Sequence, residues 1–85
     1  MVSMQVEVHV SLKSGVVDAE GKNILKAIQL YGFKGVKGVS SSKVYTLEVD
    51  VENEDEARKI GEEVSRALLA NPVIHEYTIT VKGGR

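Results

Sequence analysis

The chain has 85 residues, 27% of them charged, with a formal net charge of −1 and no cysteine. The missing cysteines exclude disulfides, thiolate metal sites and thiol nucleophiles. The near-neutral charge, with one Phe, three Tyr and no Trp, argues against a nucleic-acid surface, which relies on net basic charge and stacking aromatics. A domain of this length buries about 60 to 65% of its unfolded surface, so its margin of stability is modest and self-association is one route to more burial. No apolar run approaches the roughly 20 residues that span a bilayer. The start also lacks the basic and apolar regions of a signal peptide, so the sequence reads as a soluble cytoplasmic protein.

From Met4 to Lys13 the chain alternates without a fault. Met4, Val6, Val8, Val10 and Leu12 fall on one side, and Gln5, Glu7, His9, Ser11 and Lys13 on the other. A period of two predicts a strand with one dry face and one wet face. Ser14-Gly15 interrupts it. A helix is then predicted from about Ala19 to Tyr31, capped by Asp18, with Glu20 suited to the positive end of its dipole. Ile24, Ala27, Ile28 and Tyr31 share one face of it, and Gly32 is a natural stop. Gly21 near its start invites a phosphate-loop reading. Neither a full G-x-G-x-x-G nor a Walker pattern accompanies it, so ordinary capping is the better reading.

Gly35 to Val39 reads as entry into a strand, and Val44 to Glu52 as a clear one with Tyr45, Leu47, Val49 and Val51 on one side. Between them, Ser40-Ser41-Ser42-Lys43 leaves two courses open. A loose turn would give a pair of strands, since serines are poor residues for a tight hairpin. Alternatively, one long bent strand would leave the body of the monomer and pair with another subunit.

A second helix opens with Asn53 as N-cap and Glu56 at the third helical position, a capping-box arrangement. Ala57, Ile60, Val64, Ala67 and Leu68 form its apolar stripe, while Arg58, Lys59, Glu62, Glu63 and Arg66 form a solvated face. Gly61 costs about 1 kcal/mol relative to Ala, which predicts close approach to the sheet or to a neighbour. The helix must end before Pro72. A last strand is predicted from Glu76 to Lys82, with Tyr77, Ile79 and Val81 inward.

This order predicts an α+β two-layer sandwich related to the ferredoxin-like βαββαβ plan, or βαβαβ with one long bent central strand. Two helices would lie on one face of an antiparallel sheet and cover Val6, Val8 and Val10. Residues 1–82 are expected to form one domain and 83–85 a flexible tail.

Leu68-Leu69-Ala70-Asn71-Pro72-Val73-Ile74, with Tyr77 following, resembles the closing motif of the PurS subunits of phosphoribosylformylglycinamidine synthase. The stretch Leu12-Lys13, Gly15-Val16, Asp18 and Gly21 is similar to that family's exit from the first strand. Length, element order and the region from Val36 to Val49 agree as well. Ser14 and Ala19 stand where the family commonly has prolines, and Ser40 and Ser42 where it has arginine and glycine; Lys43 keeps the expected lysine. The resemblance implies a non-catalytic subunit of a purine-biosynthesis amidotransferase, without a cofactor. It would be a homodimer or homotetramer that bridges a glutaminase subunit and an ATP-dependent synthetase subunit while ammonia passes to formylglycinamide ribonucleotide.

The residues agree with binding rather than chemistry. Glutamine hydrolysis in such systems needs a thiolate, and there is no cysteine. His9 lies on the wet side of the first strand, where Glu7 and either Glu48 or Asp50 could approach it; a solvated charge ladder is a better reading than a metal site. His75 precedes the last strand as a surface or interface residue. Partner contacts are expected in the loops flanking the helices, at Gly15, Asp18, Lys43, Asn71 and Pro72. The alternative is a stand-alone ligand-sensing regulatory domain of the ferredoxin-like kind, contacting an amino acid or nucleotide through Gly15, Asp18 and Gly21.

Overall fold

The first strand, β1 (Val2–Leu12), is the longest and lies at the centre of a three-stranded sheet in the order β2-β1-β3. The computed structural model describes residues 2–83. After β1 come α1 (Ala19–Leu30), β2 (Ser42–Val51), α2 (Glu54–Val64) with a π-helical turn over Ser65–Leu69, and β3 (His75–Lys82). Both neighbours pair antiparallel with β1. Of the expected tail 83–85, Gly84 and Arg85 lie outside the described residues.

Pairing follows the alternation. Val6 sits opposite Leu47 and Val81, Val8 opposite Tyr45 and Ile79, and Val10 opposite Tyr77, so the apolar residues of all three strands share a face. Val6 and Val8 are fully buried there, with Met4, Val10, Val51, Ala57 and Ala70 completing the core. On the opposite face Glu7 forms an ion pair of 3.1 Å with Lys82, an exposed pair of little energetic weight.

The N-cap of α2 is formed as its sequence predicts: Asn53 Oδ1 accepts from the Glu56 N–H at 2.9 Å. The helix lies on the dry face and touches all three strands. Its approach is close at Gly61, where a Cβ would stand 2.8 Å from Val6 Cγ1 and 3.4 Å from Ile79 Cγ2. At the edge of this layer Tyr77 Oη donates to Glu62 Oε2 at 3.0 Å. Burial raises the phenol above its usual 10.0, and the hydrogen bond and charge of Glu62 push the same way.

Two features differ from the sequence reading. Residues 36–41 form neither a second hairpin strand nor a long bent one, because regular pairing starts only at Ser42, opposite Ser11. The arrangement is therefore βαβαβ with a single central-segment strand, and an irregular loop stands where the βαββαβ plan has its second strand. The other difference is α1. Among the described residues it packs substantially on no other element, so α2 and the turn after it cover the sheet.

The dimensions reflect this. The radius of gyration is 16.6 Å, against about 12 Å for a compact chain of this length. The molecule measures 52 × 29 × 15 Å. An eleven-residue strand spans about 36 Å and a twelve-residue helix about 18 Å. Their sum matches the long dimension, as when the helix extends beyond the end of the sheet instead of crossing it.

Gly61→Ala separates helix propensity from packing. Propensity alone would stabilise α2 by about 1 kcal/mol, but the added methyl meets the fully buried Val6, and overpacking costs about 1–3 kcal/mol. A net loss of stability is expected, measured as a lower urea midpoint at unchanged m-value.

Candidate functional site

The five residues singled out as contacts all fall at one end of the sheet, where β1 leaves it and β2 and β3 enter. Gly15 occupies the third position of a turn in which the Val16 N–H donates to the Lys13 carbonyl at 3.1 Å. Its φ of +90° is the conformation a type II turn requires there, and glycine adopts it freely.

Asp18 follows as the N-cap of α1, and its carboxylate holds more than the helix. Oδ1 accepts from the Gly21 N–H at 2.8 Å, as a cap should. Oδ2 accepts from the Ser41 N–H at 2.6 Å, and the Ser41 hydroxyl lies 3.0 Å from each oxygen. The backbone donors of Gly21 and Ser41 lower the acid's pKa below its ordinary 3.8, outweighing the opposing effect of burial. Gly21 completes the junction: a Cβ there would collide with the Val39 carbonyl. The two chain segments that leave and re-enter the sheet are thus fastened to each other.

Lys43 pairs with Val10 in register, which puts it on the side of the dry face, in line with Tyr45 and Leu47. It is exposed and lines an open cleft of about 240 Å³ with Val10, Leu12, Asp18, Tyr45, Leu69 and His75. A second cleft, of about 370 Å³, lies against Lys13, Ser14, Gly15 and Ser40–Ser42. Gly15, Asp18 and Lys43 therefore meet around one fastening.

Asn71 and Pro72 stand at the same end beside the entry to β3. The Asn71 carbonyl accepts from the N–H groups of Ile74 (3.1 Å) and His75 (2.7 Å). Its side chain accepts from the Val73 N–H at 2.9 Å, and its own N–H donates to His75 Nδ1 at 2.9 Å. The His75 ring proton accordingly sits on Nε2. Lys13 N–H donates to the Ile74 carbonyl at 2.9 Å and ties this turn to the exit of β1.

His9 does not face Glu48 or Asp50. The register sets it opposite Val44 and Thr78, and sets Glu48 and Asp50 opposite Gln5 and Ser3. Its Nε2 lies 3.1 Å from the Ser42 hydroxyl. Among the described residues no group of three or more His, Asp or Glu is placed to hold a metal ion, and no helix is long and apolar enough to cross a membrane.

Sequence reasoning missed Ser41, which lies twenty-three positions from Asp18 in a run of like residues; no local spacing marks such a pair. It also placed Tyr31 on a buried helix face. Tyr31 is 82% exposed, with Leu30 at 88% and Phe33 at 66%. The helix ends in a Schellman arrangement, with the Gly32 N–H on the Gln29 carbonyl and the Phe33 N–H on the Ile28 carbonyl, which carries Phe33 outward beside them. Among the described residues no other helix or strand packs substantially on α1.

The family model described as "PurS: Phosphoribosylformylglycinamidine (FGAM) synthase" matches residues 5–83. A PurS subunit of that synthase from Archaeoglobus fulgidus is 45% identical over 76 residues, 89% of this chain and 95% of the relative. The crystal structure of Methanocaldococcus jannaschii PurS, one of the subunits of formylglycinamide ribonucleotide amidotransferase in the purine biosynthetic pathway, superposes with a TM-score of 0.87. It is 38% identical, with 96% of this chain and 99% of that one covered. A chain of the PurLQS structure from Thermotoga maritima gives 0.85 at 30% identity, covering 95% of this chain and 99% of that one.

The Asp18 fastening has a defined acid response. Because the folded acid is held below 3.8, the ionised form is favoured in the folded state. Its contribution is present above about 3.8 and is lost as pH falls through the lower folded value. The carboxyl carbon of Asp18, followed by NMR, is expected to titrate below 3.8, and Ser41→Ala to move the midpoint upward. An unchanged midpoint in the variant would show that the Ser41 hydroxyl contributes nothing.

Proposed function

The chain belongs to the PurS family of phosphoribosylformylglycinamidine (FGAM) synthase, and from that premise we propose that it works as a non-catalytic subunit of this synthase in purine biosynthesis. It bridges a glutaminase subunit and an ATP-dependent synthetase subunit, so that ammonia released from glutamine reaches formylglycinamide ribonucleotide without escaping to water. The Methanocaldococcus jannaschii and Thermotoga maritima relatives support the assignment to a multi-subunit complex. The family match over residues 5–83 supports treating residues 1–82 as one unit. The cytoplasm is the compartment such a biosynthetic subunit serves.

One observation of the chain itself carries the reading. Helix α1 stands off the body of the monomer, with Leu30 at its end and Tyr31 and Phe33 just beyond it facing solvent. An 85-residue chain has little stability to spare, and a bare surface of this kind marks a protein–protein contact. We take the first occupant to be a second copy, giving a homodimer or homotetramer. The contacts to the glutaminase and synthetase involve the sheet end that carries Gly15, Asp18, Lys43, Asn71 and Pro72. Catalytic groups come from the partners: glutaminase chemistry of this type uses a thiolate, and these 85 residues contain no cysteine.

Reconstitution tests the proposal. Glutamine-dependent amidine formation by the glutaminase and synthetase subunits is expected to require the small subunit; equal rates with and without it would refute the bridging role. Self-association is tested by Leu30→Glu together with Phe33→Glu. Both side chains are exposed in the monomer, so monomer stability is expected to stay within about 0.5 kcal/mol. The dimer dissociation constant from sedimentation equilibrium is expected to rise about tenfold or more, as for loss of apolar anchors at an interface.

A further inference from the structure

Residues 18–41 form an arm rather than a layer of the sandwich. The arm leaves the sheet after the Lys13–Val16 turn, runs out along α1, turns back at Gly32 and returns through the irregular loop to Ser41. Because α1 packs substantially on no strand, side-chain packing against the sheet does not set its direction. What remains is its base. There one carboxylate, Asp18, is bound at the outgoing end to Gly21 and at the returning end to both the N–H and the hydroxyl of Ser41. The Val39 carbonyl closes on Gly21 beside it. The next residue, Ser42, is already in register with Ser11 and lies 3.1 Å from His9 Nε2, so the returning end is anchored in the sheet one residue beyond the fastening.

We propose that Asp18 is a positioning residue: through Ser41 it fixes the bearing of the α1 arm relative to the sheet, and so the geometry in which the arm's apolar surface meets a second copy of this chain. This rests on the self-association proposed above, and it goes further by assigning the geometry of assembly to a pair whose hydrogen bonds are made within one chain. The physical case is one of entropy. A tether of flexible ends leaves the arm free to sample many directions, and each direction lost on docking reduces affinity. The hydrogen bonds at the base remove that freedom before docking occurs. Asp18 is suited to the task because one ionised carboxylate can accept several hydrogen bonds at once, and bonds to a charged acceptor are the stronger kind.

The decisive variant keeps the cap and removes the fastening. Serine is as good an N-cap as aspartate, but in Asp18→Ser the shorter side chain and single oxygen cannot hold both Gly21 and Ser41. Ser41→Ala removes the hydroxyl alone, and Ser41→Thr restores it. The chain has no cysteine, so spin labels can be placed cleanly by Lys34→Cys on the arm and Thr80→Cys on the open sheet face, both exposed positions. Labelled chains diluted with unlabelled ones report the distance within one molecule by pulsed dipolar spectroscopy, and sedimentation equilibrium reports assembly.

The parent is expected to give one narrow distance distribution. Asp18→Ser is expected to broaden it, to leave the amide protection of β1 unchanged, and to weaken self-association about tenfold, through the directional freedom that docking must then remove. Ser41→Ala should do the same to a smaller degree, and Ser41→Thr should match the parent. The inference is overturned if Asp18→Ser leaves the distribution narrow, if it leaves assembly unaltered, or if it unfolds the sheet, since Asp18 would then support the whole fold. A parent that stays monomeric would instead refute the self-association reading, while the distance distributions would still decide whether Asp18 orients the arm.

Discussion

The constraint on which this structure turns is the contact of α2 with β1. An alternating strand paired on both sides exposes one apolar face, and that face has to be covered. Here α2 covers it, brought within van der Waals reach of Val6 by the missing side chain at Gly61. Once the core of valines, Ala57 and Ala70 is closed, the sheet has no further need of a helix. α1 is accordingly left to run past the sheet's end, with Ile24, Leu30 and Tyr31 exposed.

Function follows from that surplus. A compact chain of this size would satisfy its own surface; this one measures 52 Å along its longest axis and presents Leu30, Tyr31 and Phe33 to water. In the function proposed above, membership of a family of synthase subunits gives the surplus its meaning, as surface reserved for other polypeptides. The features at the sheet end are consistent with that division of labour. The Asp18 carboxylate is spent on Gly21 and Ser41, and the His75 ring on the Asn71 N–H. Both act as internal fasteners, which also weakens the ligand-sensing alternative built on Gly15, Asp18 and Gly21.

Much of this was legible in the sequence, because strand alternation and helix capping are local. β1, the Asn53–Glu56 cap, the close approach at Gly61, and the helix stop at Gly32 all follow from patterns a few residues long. What was not legible is long-range. Helical periodicity identified the apolar stripe of α1 but could not say whether the sheet or another chain would cover it, since both demand the same pattern. Nor could three serines announce that one of them closes a loop onto Asp18. His9 was misplaced relative to Glu48 and Asp50 for a related reason: parity assigns a face, whereas register across the sheet assigns neighbours.

The most direct measurement is hydrogen exchange followed along the chain as protein concentration is raised from a monomeric dilution, and again on adding the two partner subunits. If α1 is surface held for other polypeptides, amides of Ala19–Leu30 exchange readily in the monomer and gain protection with association, while those of β1 are protected throughout. Equal and high protection of α1 at every concentration, with or without partners, would contradict this and return the helix to the monomer's own core.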